Sequence, residues 1–334
     1  MEFKNLIELT EHFADNQNCI NQLIQLRWEG KVKCVFCKHN KIYHLNGKYK
    51  RYKCAKCYKQ FSAIKGSIME NSPIPLRKWF IAMYLIQSHK KGISSIQLSK
   101  FISVTQRTAW FMLHRIRYGM KDMLELQVGG ENEIVEVDET FVGGKNKNRR
   151  WDKKVKQSQG RSFKDKTPVF GILQRQEYDT IKRQHKVIPT KTVIEKIITR
   201  PAKLIAIVIP NTKGKTLKPL LYERVKEGTI VVSDEWKAYN GISRVFNHQV
   251  VDHKRSQYVN ESGFTTNTLE GAWSILKRAI IGTYHKADRI HLQRYADEFS
   301  YRYNTRHLSD VERFNSSNIN CRLTYKQLIR WKAA

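Results

Sequence analysis

Four of the six cysteines stand in two Cys-x-x-Cys turns, Cys34/Cys37 and Cys54/Cys57, with 16 residues between the turns. Two such turns can close on one tetrahedral centre, the arrangement that holds a structural Zn²⁺. Four protein ligands leave no open position, so one zinc per chain is expected, and it should fold the segment rather than react. His39 and His44 lie close by and read as surface residues once four thiols are present. A second set is acidic. Asp138 closes the apolar run EIVEVD ahead of Gly143-Gly144, Asp234 closes TIVVSD, and Glu270 sits early in the amphipathic stretch TLEGAWSILKRAII. Carboxylates are the hard oxygen ligands that Mg²⁺ or Mn²⁺ prefers. Two such ions can flank an in-line phosphoryl transfer, one on the attacking oxygen and one on the leaving oxygen.

The elements around the acids must bring them together. Acids at the ends of apolar strands point toward the open edge of a packed sheet. Glu270 shares a helical stripe with Ser274 and Lys277, since seven residues make nearly two turns. Leu269, Trp273, Leu276 and Ile280 form the apolar stripe beside it, so Trp273 reads as core. Glu139 and Glu235 are rivals by position; alternation turns Glu139 away from Asp138 and places Glu136 on the same side. Strand, strand and helix is how a ribonuclease-H-like core collects its acids. From about residue 131 the pattern is one of alternating strands and helices: TPVFGILQR, KLIAIVIP, GTIVVSD and HQVVD as strands, KTLKPLLYERVKE and HLQRYADEFSYRYN as helices. Residues 145–166 hold ten basic and two acidic residues and read as a mobile loop.

An acidic centre in this chain is conspicuous because the whole is so basic. Lys plus Arg is 61 and Asp plus Glu is 30, a net charge of +31 over 334 residues. An excess of that size points to a polyanion, and phosphate neutralisation makes nucleic acid the expected partner. A membrane surface would need a long basic amphipathic helix, and none is evident. No stretch approaches a membrane span, and the N-terminus lacks a signal-peptide pattern, so a cytoplasmic protein is expected, nucleoid-associated when bound to DNA. Residues 31–59, around the cysteines, carry ten Lys or Arg and no acid. Beyond the Pro-marked link NSPIPL, residues 76–126 read as helices. Ser94–Ile102, a short turn, and Thr105–Arg117 make a helix-turn-helix layout, with Arg107 early in the second helix where DNA contact is expected. Trp110, Phe111 and Leu113 read as core. His253 and His285 are lesser candidates for contacts near the metals.

Cysteine turns, helix-turn-helix, then VDETFVGGK, SDEWKAY and NTLEGAWSILKRAIIGTYH: this order resembles the DDE transposases of bacterial insertion sequences, in the branch with an N-terminal zinc ribbon. TPVFGILQR, KTLKPLLYERV and YADEFSYRYNTR extend the resemblance over residues 20–306. Asp234 and Glu270 have 35 residues between them, a typical spacing of the second and third acids. The resemblance implies a multidomain α+β chain: N-terminal helices and zinc ribbon over 1–65, a helix-turn-helix region over 66–128, a ribonuclease-H-like core with a mixed sheet over 129–306, and a C-terminal extension over 307–334. It implies cleavage and strand transfer at element ends, with Asp138, Asp234 and Glu270 holding two Mg²⁺ or Mn²⁺ ions. Lys277 and Arg278 would contact DNA, Lys277 matching the basic residue that follows the third acid. Some members place Asn or His third, which keeps Asn267 as a competitor to Glu270. Paired ends imply a homodimer or higher assembly. Residues 177–203 are longer and more basic than the usual turn between two core strands. The competing functions are a DNA-binding regulator, which would leave the acids idle, and a nuclease or resolvase that cuts without joining.

Overall fold

A computed structural model of the chain describes residues 3–45, 51–121, 127–143, 150–155, 166–184, 192–251 and 263–329. The chain divides into two compact units, one of Met1–Asp122, Ala279–Glu298 and Leu308–Ala334, the other of Met123–Arg278 and Phe299–His307.

In the first unit, helices begin where polar side chains satisfy their open N–H groups. Asn5 caps α1 (Leu6–His12) and Asp15 caps α2 (Asn16–Trp28). A three-stranded antiparallel sheet follows, β1 (Ile42–Leu45), β2 (Arg51–Cys54) and β3 (Gln60–Ser62). Tyr52 and Phe61 are its small apolar centre, with ring centroids 5.5 Å apart. Then come α3 (Leu76–Ser88), α4 (Ser95–Phe101) and α5 (Gln106–Gly119). Ser94 caps α4, Thr105 caps α5, and Ser103 turns the chain between them with φ near 50°. The tail returns to this unit as α9 (Asp310–Asn315) and α10 (Tyr325–Ile329). Phe314 packs against Phe13 and Phe80, with centroids 6.2 and 5.7 Å away, and Ile319 accepts a backbone bond from Ile68.

The second unit is built on a five-stranded mixed sheet in the order β10 (Asn247–Val251), β9 (Ile230–Asp234), β4 (Ile134–Val142), β5 (Thr167–Gln174), β8 (Lys203–Val208). β4 runs parallel to β9 and antiparallel to β5; β9 and β10 are parallel, β5 and β8 antiparallel. Every residue of β5 is buried, as a strand covered on both faces requires. Val135 and Val137 of β4 point to one face. There they join Phe170, Ile172, Ile205 and Val231 in a core closed by Leu217 and Leu221 of α6 (Gly214–Arg224). Alternation sends Glu136 and Asp138 to the other face. That face is covered by α7 (Asn267–Ala279), whose Leu269, Ala272, Trp273 and Leu276 are buried while Glu270, Ser274, Lys277 and Arg278 are exposed. α8 (Leu292–Asn304) begins in the first unit and ends in the second, where Asn304 brackets Leu204 with bonds to both its N–H and its carbonyl.

Residues 177–203, unassigned from sequence, contain a two-stranded antiparallel ribbon, β6 (Glu177–Gln184) and β7 (Thr192–Arg200). No helix among the described residues is long and apolar enough to cross a membrane.

Candidate functional site

The cysteine turns converge. All four Sγ atoms lie within 4.8 Å of one another, with Cys34 to Cys57 at 3.6 Å and Cys37 to Cys54 at 3.5 Å. A tetrahedron of thiolates at the usual zinc bond length has edges of about 3.8 Å, so the donor set fits the ion. The two turns repeat one backbone device. Lys38 and Tyr58 take positive φ and return their N–H groups to the carbonyls of Cys34 and Cys54. The sulfurs also accept backbone N–H bonds, Phe36 to Cys34 at 3.4 Å and Lys56 to Cys54 at 3.3 Å. At Cys54, burial raises the thiol, but the N–H groups of Cys57 and Lys56 and the neighbouring thiols outweigh it and hold the group at about 6. A thiolate is therefore accessible at neutral pH, which is the form that binds metal.

Asp234 ends β9 as expected, but Asp138, expected at a strand end, is the fifth of the nine residues of β4, which continues to Val142 along β5. β4 and β9 pair in parallel through Glu136↔Val232, and two residues further along each strand stand Asp138 and Asp234. α7 brings Glu270 to the same place. Burial, then the charge of Asp234, and further the charge of Glu270 push the Asp138 carboxyl up to about 7, against partial relief from hydrogen bonds. Asp234 and Glu270 therefore stand near enough for their charges to act on Asp138, while among the described residues the four thiols are the set whose ligand atoms lie within 4.8 Å of one another. Asp234 Oδ1 accepts the N–H of Trp236 at 3.1 Å. Asn267, the competitor, opens α7 with its own N–H donating to Thr265 Oγ1 at 3.0 Å.

Other residues hold this corner in place, and sequence reasoning gave several of them no role. Trp273 is core, as expected, and it also donates its indole N–H to Asp138 Oδ2 at 3.0 Å. Glu136, fully buried, accepts the N–H of Leu269 at 2.8 Å with one oxygen and the Arg175 guanidinium at 2.6 Å with the other. Arg175 also donates to the carbonyl of Thr265. The start of α7 is thus tied to β4 and to the end of β5 by charge-assisted bonds. Glu139, turned away from Asp138, accepts from the buried Tyr239 hydroxyl.

Gly171 pairs with Asp138 across β4 and β5 and lies under Trp273. A methyl group there would overlap the indole, coming 2.7 Å from Cη2, and would press on Leu269 at 3.1 Å. A glycine within an apolar strand was the available sign of such an approach. Gly171→Ala is expected to cost about 1–3 kcal/mol by overpacking and to displace the Trp273 bond to Asp138. Thermal denaturation and a strand-joining assay should both register the change; wild-type values in both would contradict it.

Of the remaining candidates, Arg107 is exposed at the start of α5, with its guanidinium 2.9 Å from the Tyr325 hydroxyl and 5.6 Å from that ring. Leu113 is buried; Trp110 and Phe111 are half-buried against His114 and Tyr325 respectively. His285 is exposed with positive φ, its Nδ1 3.1 Å from the carbonyl of Ile281. His253 and most of the basic stretch 145–166 lie outside the described residues.

Comparison with known proteins points the same way as the motifs. A family model described as the ISXO2-like transposase domain matches residues 129–304. A protein named as an uncharacterized protein in transposable element ISH50, from Halobacterium salinarum, is 27% identical over 276 residues, covering 80% of this chain and 83% of its own length. An uncharacterized transposase-like protein of Haemophilus influenzae is 27% identical over 103 residues, 30% of this chain and 81% of its own.

Proposed function

The chain belongs to the ISXO2-like transposase family, and we propose that it cuts and joins DNA at the ends of an insertion sequence with two Mg²⁺ or Mn²⁺ ions held by Asp138, Asp234 and Glu270. The observation that supports this most is the burial of Asp138 beside the charges of Asp234 and Glu270, which together push it up to about 7. The strand order β10-β9-β4-β5-β8, with β4 central and parallel to β9, supports a ribonuclease-H-like core.

In this reading Asp138, Asp234 and Glu270 would hold the two ions. The ions would neutralise charge on the phosphoryl oxygens and make the attacking oxygen more nucleophilic. The nucleophile is water for cleavage and the freed 3′-hydroxyl for joining, with in-line substitution at phosphorus. The protein's own part is positioning. Trp273 fixes one oxygen of Asp138. Glu136 and Arg175 fix the start of α7 and with it Glu270. Lys277, two turns along the exposed face of α7, holds a DNA phosphate, with Arg278 beside it. The zinc ribbon and the α4–α5 pair bring the DNA ends, two of which must be bound, by a dimer or a larger assembly.

A strand-transfer assay with pre-cleaved element ends, target DNA and Mg²⁺ tests the proposal. Joined product is expected. Cleavage without joining would assign a nuclease or resolvase, and binding without chemistry would assign a regulator.

A further inference from the structure

The ribbon formed by β6 and β7 is an insertion between two neighbouring strands of the core sheet, β5 and β8. Among the described residues its strands pair with each other and with no other strand. Every described side chain on it is exposed except Arg200, which is half-buried and pairs with Glu133 and with Glu177 at the ribbon's base. A lone two-stranded ribbon is marginal in water, so a surface that it lies against is expected.

The register sorts its side chains, because directly paired residues share a face. Tyr178↔Ile198, Thr180↔Lys196, Lys182↔Ile194 and Gln184↔Thr192 make one face. That face carries two lysines, hydroxyl and amide donors and an aromatic ring, and no acid. Lys196 Nζ lies 5.8 Å from the Tyr178 ring, so the cation and the ring stand side by side. Asp179↔Ile197, Ile181↔Glu195 and Arg183↔Val193 are the alternate register pairs, and their described side chains, Asp179, Ile181, Arg183, Val193 and Ile197, carry no net charge. The residues joining the strands add His185, Lys186 and Lys191 to the composition of the insertion.

We propose that this ribbon is a DNA-gripping arm, with the face of Tyr178, Lys182 and Lys196 laid along the backbone of duplex DNA. The inference rests on the reading of the chain as an enzyme acting on DNA. Size agrees with it: eight strand residues span roughly 27 Å, a length over which a duplex carries several phosphates. The lysines meet phosphates, Thr180 and Gln184 donate to backbone oxygens, and the opposite face, with no net charge among its described side chains, turns away from the duplex. The grip is sequence-independent, since phosphate contacts carry no base information.

The test uses full-length, zinc-loaded protein and a duplex of arbitrary sequence several helical turns long. Binding is titrated over a range of salt for the wild type, for Lys182→Gln/Lys196→Gln, and for Ile181→Thr/Val193→Thr on the opposite face. Zinc content and thermal unfolding check that each variant folds. Loss of two phosphate contacts should weaken binding about 10-fold and lower the slope of log affinity against log salt by about 2. The opposite-face variant should bind as the wild type does. An unchanged slope in Lys182→Gln/Lys196→Gln, with the wild type binding normally, overturns the arm alone. The same result with altered sedimentation of Ile181→Thr/Val193→Thr reassigns the ribbon to a protein contact. A wild-type protein that binds no duplex overturns both the arm and the function on which it rests.

Discussion

Asp138→Asn is expected to abolish strand transfer, by a factor of about 10³ or more, while making the magnesium-free protein more stable. The first effect follows from loss of a shared metal ligand at the reacting phosphate. The second follows from the burial of Asp138 beside two other acids. Burial, Asp234 and Glu270 push this carboxyl up to about 7 in the folded chain from an ordinary value near 3.8. Between these two values the folded state binds more protons than the unfolded state, so the wild type loses stability as pH rises through that window. Asn carries no charge and can still accept the indole N–H of Trp273. At pH 8 the variant should therefore melt a few degrees higher, on the scale of about 2–4 °C per kcal/mol for a unit of this size. Below pH 4 the two proteins should converge. Mg²⁺ or Mn²⁺ should raise the melting temperature of the wild type much more than that of the variant, and element ends should still bind both. Melting curves of zinc-loaded protein without magnesium, beside the strand-transfer assay, read all of this. Wild-type joining by Asp138→Asn, or a variant less stable than wild type at pH 8, would remove Asp138 from the role proposed.

Cys54→Ser should have the largest effect on folding. The ribbon's apolar centre consists of little more than Tyr52 and Phe61. Structural zinc contributes about 10–16 kcal/mol in isolated fingers, far more than two rings can supply. Cys54 sits at the middle of the bonded cluster, with two backbone N–H groups on its sulfur. Replacing it should abolish zinc retention, open residues 31–62 to proteolysis and sharply weaken binding of element ends. The mixed sheet of the other unit should keep its thermal transition. Elemental analysis should find one zinc per wild-type chain and none per variant chain; equal content in both, or none in the wild type, would count against a four-cysteine zinc site.

Much of the site was legible because its signals are local. Asp138 and Asp234 ended apolar runs; Asp234 does end β9, but Asp138 is the fifth of the nine residues of β4, because its strand continues to Val142 by pairing with β5. The stripe through Leu269, Trp273 and Leu276 placed Glu270 beside Lys277 on the exposed side of α7, as found. Trp273 read correctly as core, but its bond to Asp138 could not be read, because a buried tryptophan leaves no sequence mark of where its N–H finds an acceptor. Arg175 was silent for the same reason: its partners Glu136 and Thr265 lie 39 and 90 residues away. The insertion 177–203 was visible as extra length and charge. Its two-faced character emerged only once the register was known, since a shift of one residue would mix the faces.

The division between sequence and tertiary structure follows the range of the forces. Cys-x-x-Cys spacing, strand alternation, helix capping by Ser94 and Thr105, and the net charge of +31 act within a few residues or need no geometry at all. Those features determined the paired cysteine turns, the helix pair and the strongly basic character of the chain. The meeting of Asp138 with Asp234, 96 residues apart, depended on β4 choosing β9 as its parallel neighbour. The return of Phe314 to Phe13 and Phe80 depended on the packing of the whole N-terminal unit. Such choices are made by the summed burial of many apolar side chains, and no short stretch of the chain encodes that sum.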